Sequence, residues 1–306
     1  MKAAVIDIGT NTFHLLIGER ENSGDINFIY KKTIPVKLGE GGIAKGNLTE
    51  AAIQKGVTAL KDFGDIISEY KIKTVRAVAT AAVRTASNGE DFIRRGKNET
   101  GLNIEVVDGD TEAELIFTGV SKGVEIGSET SIIMDIGGGS VEFILCNFSG
   151  IIWKKSYPIG VAKMMALFHH SDPINVLEIK NIEKYLKEVL HDLKKICAKE
   201  KPEILIGSSG AFETFAELVH KKFDLQEDLN ATEFAINPIY FRKIAKELLQ
   251  STHEERGLNK GIIPVRVDMI VVSTVLTLYI LNQLKIKKIT LSYYALKEGA
   301  LFQLLK

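Results

Sequence analysis

Cysteine is scarce. Cys146 and Cys197 are the two in 306 residues, far apart and each inside an apolar run. That pattern predicts buried, reduced thiols and excludes a disulfide framework or a cysteine-built zinc site. Proline (six) and tryptophan (one) are also few. No stretch is proline-rich, serine-rich or of low complexity, so the chain is not strung on flexible linkers. Neither sign of charge is in excess, with 39 Lys and Arg against 39 Asp and Glu. No global field gathers nucleic acid or an anionic membrane, and a polyanion needs a local basic patch. No apolar run reaches transmembrane length. The opening MKAAVIDIG reads as a strand and has no secretory pattern, so the expectation is a cytoplasmic protein. The six histidines show no HxxxH or HxH spacing, which speaks against a histidine metal site or a Ser-His-Asp triad. His14 lies inside an apolar strand and reads as a satisfied core histidine.

What is present is a globular composition, 45% hydrophobic and 25% charged, at a length that suggests two domains. The most informative feature is an internal repeat. Residues 3–19 (AAVIDIGTNTFHLLIGE) lie over residues 131–147 (SIIMDIGGGSVEFILCN). Asp7-Ile8-Gly9 falls on Asp135-Ile136-Gly137, and at the same offset Thr12 meets Ser140 and His14 meets Glu142. Each copy is an apolar run ending in Asp, a glycine or hydroxyl loop, and a second apolar run, the pattern of a β-hairpin with an exposed turn. Two copies imply two similar α/β domains, each presenting one hairpin. The expected division is an N-terminal lobe of residues 1–124, with 296–306 packing back on it as a helix, and a C-terminal lobe of 125–295. Apolar spacing predicts helices over 49–70, with Thr49 as N-cap, and over 178–200, whose lysines form the solvated side. Residues 266–284 and 292–304 read as apolar helices and 76–79 and 203–206 as buried strands. Segments 38–46 and 223–233 read as irregular loops.

Chemistry concentrates in a few segments. In Asp135-Ile136-Gly137-Gly138-Gly139-Ser140-Val141-Glu142, three glycines after a strand bring backbone N–H groups close to a ligand. Those amides and the Ser140 hydroxyl suit phosphate oxygens. Asp135 can hold Mg²⁺ directly or through water, and Glu142 returns a second carboxylate. A plain hairpin with a glycine bulge is the alternative. The matching turn at Asp7-Gly9-Thr10-Asn11-Thr12 favours a clamp made by two facing phosphate hairpins. A third glycine turn, Ile206-Gly207-Ser208-Ser209-Gly210, joins a strand to a helix and is either an anion site or an ordinary capped turn. In Ala79–Asn88 the one long cation is Arg84, suited to fork onto phosphate oxygens or to pair with a helix carboxylate. Asp108–Leu115 opens a helix near the lobe junction, where a glutamate suits a general base. Spacing does not separate Glu112 from Glu114.

These segments together resemble the Ppx/GppA family of exopolyphosphatases and guanosine pentaphosphate phosphohydrolases, within the actin, sugar kinase and Hsp70 superfamily. The resemblance runs through AVIDIGTNTFHLLI (4–17), VKLGEGGIAKGNLTEAAI (36–53), ATAAVRTASN (79–88) and GDTEAELIFTGV (109–120). It continues through DIGGGSVEF (135–143), IGSSGAFETFAEL (206–218), PVRVDMIVV (264–272) and SYYALKEGAL (292–301). It implies an α/β fold of two ribonuclease H-like lobes with an interlobe cleft, and hydrolysis of a phosphoanhydride with Mg²⁺ or another divalent cation. It implies Glu112 as the catalytic glutamate, with Arg84, Asp135 and Glu142 also catalytic. Asp7, Asp135 and Glu142 are the implied metal carboxylates. Substrate contacts are expected from Asn11, Thr12, Gly138, Gly139, Ser140, Gly207, Ser208 and Arg266.

Three departures bear on substrate choice: Val265 where Glu is common, Ala295-Leu296-Lys297 for the usual Gly-Leu-Arg, and Ser208-Ser209 for a Thr-Gly pair. The length matches a short form without the C-terminal helical domain of longer members. The expected substrate is inorganic polyphosphate, since nothing marks a guanine pocket. Guanosine pentaphosphate, an ATP-using enzyme and a non-hydrolysing sensor of such ligands are the rivals. Family members are often dimeric, so a homodimer is an expected assembly.

Overall fold

The computed structural model of the chain describes residues 1–226, 228 and 230–306. Part of the loop expected over 223–233 lies outside the described residues. The first half forms β1 (Lys2–Ile8), β2 (Phe13–Arg20), β3 (Ile26–Ile34), α1 (Glu50–Glu69), β4 (Thr74–Ala79), α2 (Ala81–Thr85), α3 (Gly89–Thr100), β5 (Ile104–Val106) and α4 (Gly109–Gly123). Its sheet has the order β3-β2-β1-β4-β5, an antiparallel meander of β1 to β3 extended by parallel β4 and β5.

The second half continues with β6 (Ser131–Ile136), β7 (Val141–Asn147), β8 (Gly150–Tyr157), α5 (Val161–Phe168), α6 (Val176–Val189), α7 (His191–Glu200), β9 (Ile204–Ser208) and α8 (Ser209–Phe223). After these come β10 (Glu233–Ile236), α9 (Pro238–Gln250), α10 (His253–Leu258), α11 (Met269–Leu284), β11 (Lys288–Ser292) and α12 (Leu296–Leu304). Its sheet reads β10-β11-β9-β6-β7-β8. Without the antiparallel edge strand β10, that is the first topology again. The fold is α/β, two ribonuclease H-like lobes, and the register carries the repeat to single residues: Asp7 pairs with His14 and Asp135 with Glu142.

Alternation along the central strands serves two cores at once. Ala4, Ile6 and Ile8 of β1 pack outward under α1 and α3, while Ala3 and Val5 face the other way. There they join Ile133, Ile144 and Ile206 of the second sheet in a shared layer built around α4 and α12. Strands covered on both faces read as unbroken apolar runs, which is how the repeat shows itself. Cys146 belongs to this middle layer, and both cysteines are free and buried. Among the described residues no helix is long and apolar enough to cross a membrane.

Two expectations shift in detail. The helix foreseen over 178–200 is broken at Leu190, whose backbone leaves the helical region between α6 and α7. The break seats Leu190 and Leu193 in the core and brings Asp192 to accept from the Tyr157 hydroxyl at 2.7 Å. The helix foreseen over 292–304 starts at Leu296, because Ser292 still belongs to β11.

α4 and α12 cross at two glycines. A Cβ on Gly299 would lie 1.9 Å from the Leu115 carbonyl oxygen, and one on Gly119 would lie 2.0 Å from that of Ala295. Both obstacles are backbone, so the helices must separate to admit a methyl group. Gly299→Ala is therefore expected to lower unfolding free energy by about 2 kcal/mol despite alanine's better helix propensity. A denaturant midpoint equal to wild type would show that the crossing tolerates the methyl group.

Candidate active site

Each central hairpin ends in the same turn. Gly9 N–H donates to the Thr12 carbonyl at 3.2 Å and Gly137 N–H to the Ser140 carbonyl at 3.0 Å. A Cβ on either glycine would come within 2.9 Å of that carbonyl oxygen, so tight closure of the turn requires glycine. The next two glycines have a different reason. A Cβ on Gly138 would meet Asn11 Nδ2 at 2.4 Å, and one on Gly139 would meet the Ala81 methyl at 2.8 Å and Thr10 Oγ1 at 2.9 Å. The glycine run, read from sequence as room for a ligand, lets the turn of one lobe touch the turn of the other.

Beside that contact lies a cavity of about 150 Å³ lined from both lobes. Asp7, Asn11, Thr12, Glu112, Asp135, Gly138, Gly139, Ser140 and Arg266 all face it. Glu142 is buried behind the turn, 1% exposed, where its Oε1 accepts from Ser156 Oγ at 2.6 Å. Arg84 does not face the cavity. It lies behind Glu112, giving Nη1 to Glu112 Oε2 at 2.7 Å and to the Val107 carbonyl at 2.9 Å. Gly207 and Ser208 also fail to reach it. Strand β9 runs on through Ser208, so Gly207 sits under the Phe212 ring and Ser208 Oγ donates to Asp135 Oδ2 at 2.6 Å. The residues that do face the cavity are the next two, Ser209 and Gly210.

Structure also separates the two glutamates. Glu112, in the first turn of α4, is 6% exposed and lines the cavity, while Glu114 points to solvent and pairs with Lys154. His14 is satisfied, with Nε2 2.9 Å from Thr12 Oγ1 and Nδ1 2.9 Å from Thr33 Oγ1. It faces the cavity, however, and not the core.

Burial governs the ionisation of this group. It lifts Asp7 to about 7 against the pull of Lys297. It lifts Glu112 to about 7 against Arg84, with Asp135 adding to the rise. Asp135 is raised by burial and partly restored by hydrogen bonds from Ser208 and Ser209. Glu142 stands well above its ordinary value through burial and the charges of Glu112 and Asp135. Burial, aided by Lys297, takes His14 down to about 3, so it is neutral.

Three cavity residues carry no site expectation from sequence. Lys297, at the N-terminus of α12, pairs with Glu298 at 3.2 Å, and its only signal is the departure from Gly-Leu-Arg. Glu213 holds Arg266 Nη2 at 2.7 Å. Ser209 stands where the pattern has glycine and takes φ = 72°, a left-handed conformation that costs a non-glycine residue about 1–2 kcal/mol. Ser209→Gly is expected to raise unfolding free energy by about 1 kcal/mol. A lower thermal midpoint would mean that the hydroxyl bond to Asp135 outweighs the strain.

The implied metal ligands divide. Among the described residues no three His, Cys, Asp or Glu side chains stand close enough to enclose an ion, so Asp7, Asp135 and Glu142 form no three-carboxylate cage. Glu142 is taken up by serine hydroxyls. Asp7 and Asp135 remain, both lining the cavity. Two buried carboxylates facing a phosphate-sized space fit Mg²⁺, which is commonly held by one or two carboxylates together with water and substrate phosphates.

Twin turns touch across two duplicated lobes, and a buried glutamate stands beside them. The chain belongs to the Ppx/GppA phosphatase family, whose model matches residues 17–306. An exopolyphosphatase crystal structure from Cytophaga hutchinsonii is 40% identical and superposes with a TM-score of 0.97, covering 100% of this chain and 98% of that one. A Ppx/GppA enzyme of Aquifex aeolicus is 26% identical with a TM-score of 0.82, covering 99% of each chain. A putative exopolyphosphatase of Haemophilus influenzae is 26% identical over 99% of this chain and 91% of its own length. A bifunctional 3-dehydroquinate synthase/phosphatase of Fusobacterium nucleatum is 33% identical over 91% of this chain, which spans only 43% of that protein.

Proposed function

We propose that the chain is an exopolyphosphatase that removes the terminal phosphate of inorganic polyphosphate as orthophosphate. The observation that carries this reading is Glu112, buried in the cavity wall with its carboxyl lifted to about 7 and held by Arg84 at 2.7 Å. Phosphoryl transfer asks the protein for positioning and charge neutralisation more than for covalent work. Backbone amides at Gly138–Ser140 and Asn11–Thr12 cradle the terminal phosphoryl group. Arg266 and Lys297, both on the cavity wall, hold the phosphates that precede it. Glu112 takes a proton from a water whose oxygen bonds to the terminal phosphorus. The bridging P–O bond breaks, and its electron pair leaves with the shortened chain. Arg84 acts by orienting Glu112, since its Nη1 is engaged by that carboxylate and by the Val107 carbonyl. Asp7 and Asp135 hold the divalent cation, which when bound supplies Lewis-acid neutralisation of phosphate oxygens.

Free Cys146 and Cys197 support a reducing, cytoplasmic setting. The deciding experiment measures orthophosphate release from polyphosphate, guanosine pentaphosphate and ATP side by side, with and without Mg²⁺. Polyphosphate is expected to be turned over fastest and only with the cation. Faster release from either nucleotide would replace polyphosphate as the substrate.

A further inference from the structure

Behind the Gly139–Ser140 turn, on the side away from the cavity, lies a second space of about 430 Å³. Arg84 and Thr85 of α2, Gly109 at the start of α4, and Lys155 and Ser156 of β8 wall it. Ala81, Gly139 and Ser140 face both spaces. Between the two stand bonded side chains, one pair from each lobe. Arg84 Nη1 meets Glu112 Oε2 at 2.7 Å, and Ser156 Oγ meets Glu142 Oε1 at 2.6 Å. In both pairs the carboxylate is buried between the spaces and its donor lines the rear pocket.

In-line displacement assigns a side to each reactant. The polyphosphate chain is the leaving group and points out of the cavity mouth, so the attacking water is on the opposite side, at Glu112. After the bond breaks, orthophosphate is left between the remaining chain and the rear wall. The turns approach closely at Gly138 with Asn11 and at Gly139 with Thr10, which narrows the way out between them while the chain stays seated. We propose that the rear pocket is the exit for orthophosphate, with the Arg84–Glu112 pair as its door, so that the enzyme keeps its chain from one cleavage to the next. This rests on the hydrolytic reading above. The charge of the pocket suits passage. Arg84 and Lys155 attract the product dianion, while Asp108 and Asp110 on the same wall keep it from being held. Asp108 is in addition engaged by the Thr111 amide at 2.7 Å.

The test alters the pocket without touching the groups placed in the chemistry. Lys155→Glu reverses a cation that is half exposed and paired with Asp192, and Thr85→Trp fills the space from α2. Rapid-quench measurement of the first orthophosphate from polyphosphate of defined length reads the chemistry and reports on folding. Steady-state release and the length distribution of partly digested chains read the exit. In both variants the first turnover is expected to stay within about twofold of wild type, while steady-state release falls about tenfold because product release becomes limiting. Chains of intermediate length should then accumulate where wild type shows only full-length and fully shortened ones. Unchanged steady-state rates and length distributions in both variants would overturn the exit. So would an equal loss in first and later turnovers, or a wild type that itself accumulates every intermediate length. Wild type that releases no orthophosphate from polyphosphate removes the hydrolytic reading and the exit with it, an outcome distinct from active wild type with indifferent variants.

Discussion

Glu112→Gln is expected to lower the rate constant for orthophosphate release by about 10²–10⁴ while KM stays within about twofold. Glutamine keeps the shape of the side chain and an oxygen for Arg84 Nη1, which also retains the Val107 carbonyl at 2.9 Å. What disappears is the only feature a water needs from this position, a carboxylate able to take its proton. The pH profile gives an independent check. Glu112 must be ionised to act, and burial places its carboxyl at about 7, so wild-type activity should rise as pH passes upward through about 7. The residual activity of the variant should lose that limb, because an amide does not titrate. Purified variant assayed for phosphate release from pH 5.5 to 9 supplies both readings. Wild-type turnover in Glu112→Gln would remove the base assignment and turn attention to Asp135, another buried carboxylate on the cavity wall.

The duplication is legible in the amino-acid sequence because a strand, a tight turn and a strand are written in consecutive residues. Asp7 and Asp135 are each the last residue but one of their strands, β1 and β6, close to where the pattern ends the apolar run, and the lobe topology repeats as the two copies require. What sequence does not supply depends on contacts between distant segments or on where an element ends by one residue. Glu112 and Glu114 lie two residues apart on one helix, and only tertiary packing turns the first to Arg84 of α2 and leaves the second with Lys154 of β8. Arg84 has the local setting of a phosphate ligand, but its partner is set by the approach of α2 to α4. The third glycine turn is recognisable, yet β9 extends through Ser208, which moves the exposed residues to Ser209 and Gly210. The glycines at 138 and 139 carry a constraint from Thr10, Asn11 and Ala81, residues no spacing rule ties to them. Lys297 is the clearest case. It comes from the far end of the chain, and α12 alone carries it to Asp7.

Removing that lysine is expected to act on stability and substrate together. Lys297 is 19% exposed, and its ammonium lies 3.2 Å from Glu298, itself 1% exposed, whose other oxygen accepts the Ala295 amide at 2.9 Å. Burial works against the charge of Lys297 but is outweighed by Glu298, Glu213 and Asp7, so its pKa ends above the ordinary lysine value. Lys297→Met strands a carboxylate that water cannot reach, a change that costs about 3 kcal/mol of unfolding free energy. The sign of the pH dependence follows from the raised pKa. The lysine's contribution is complete below its ordinary value of 10.5 and lost only as pH climbs through the higher folded value. The deficit of the variant should therefore not shrink between pH 6 and pH 9, and because Asp7 ionises at about 7 against the pull of Lys297 it should be larger at pH 9. Its polyphosphate KM should rise about tenfold or more through loss of a charge-assisted phosphate contact. Lys297→Arg keeps the charge and presents the fork that the usual Gly-Leu-Arg would have offered, so it should recover most of both losses. Denaturant unfolding at the two pH values, with KM measured beside it, separates the roles. A methionine variant of normal KM but reduced stability would confine Lys297 to neutralising Glu298, and normal stability with raised KM would confine it to the phosphate chain.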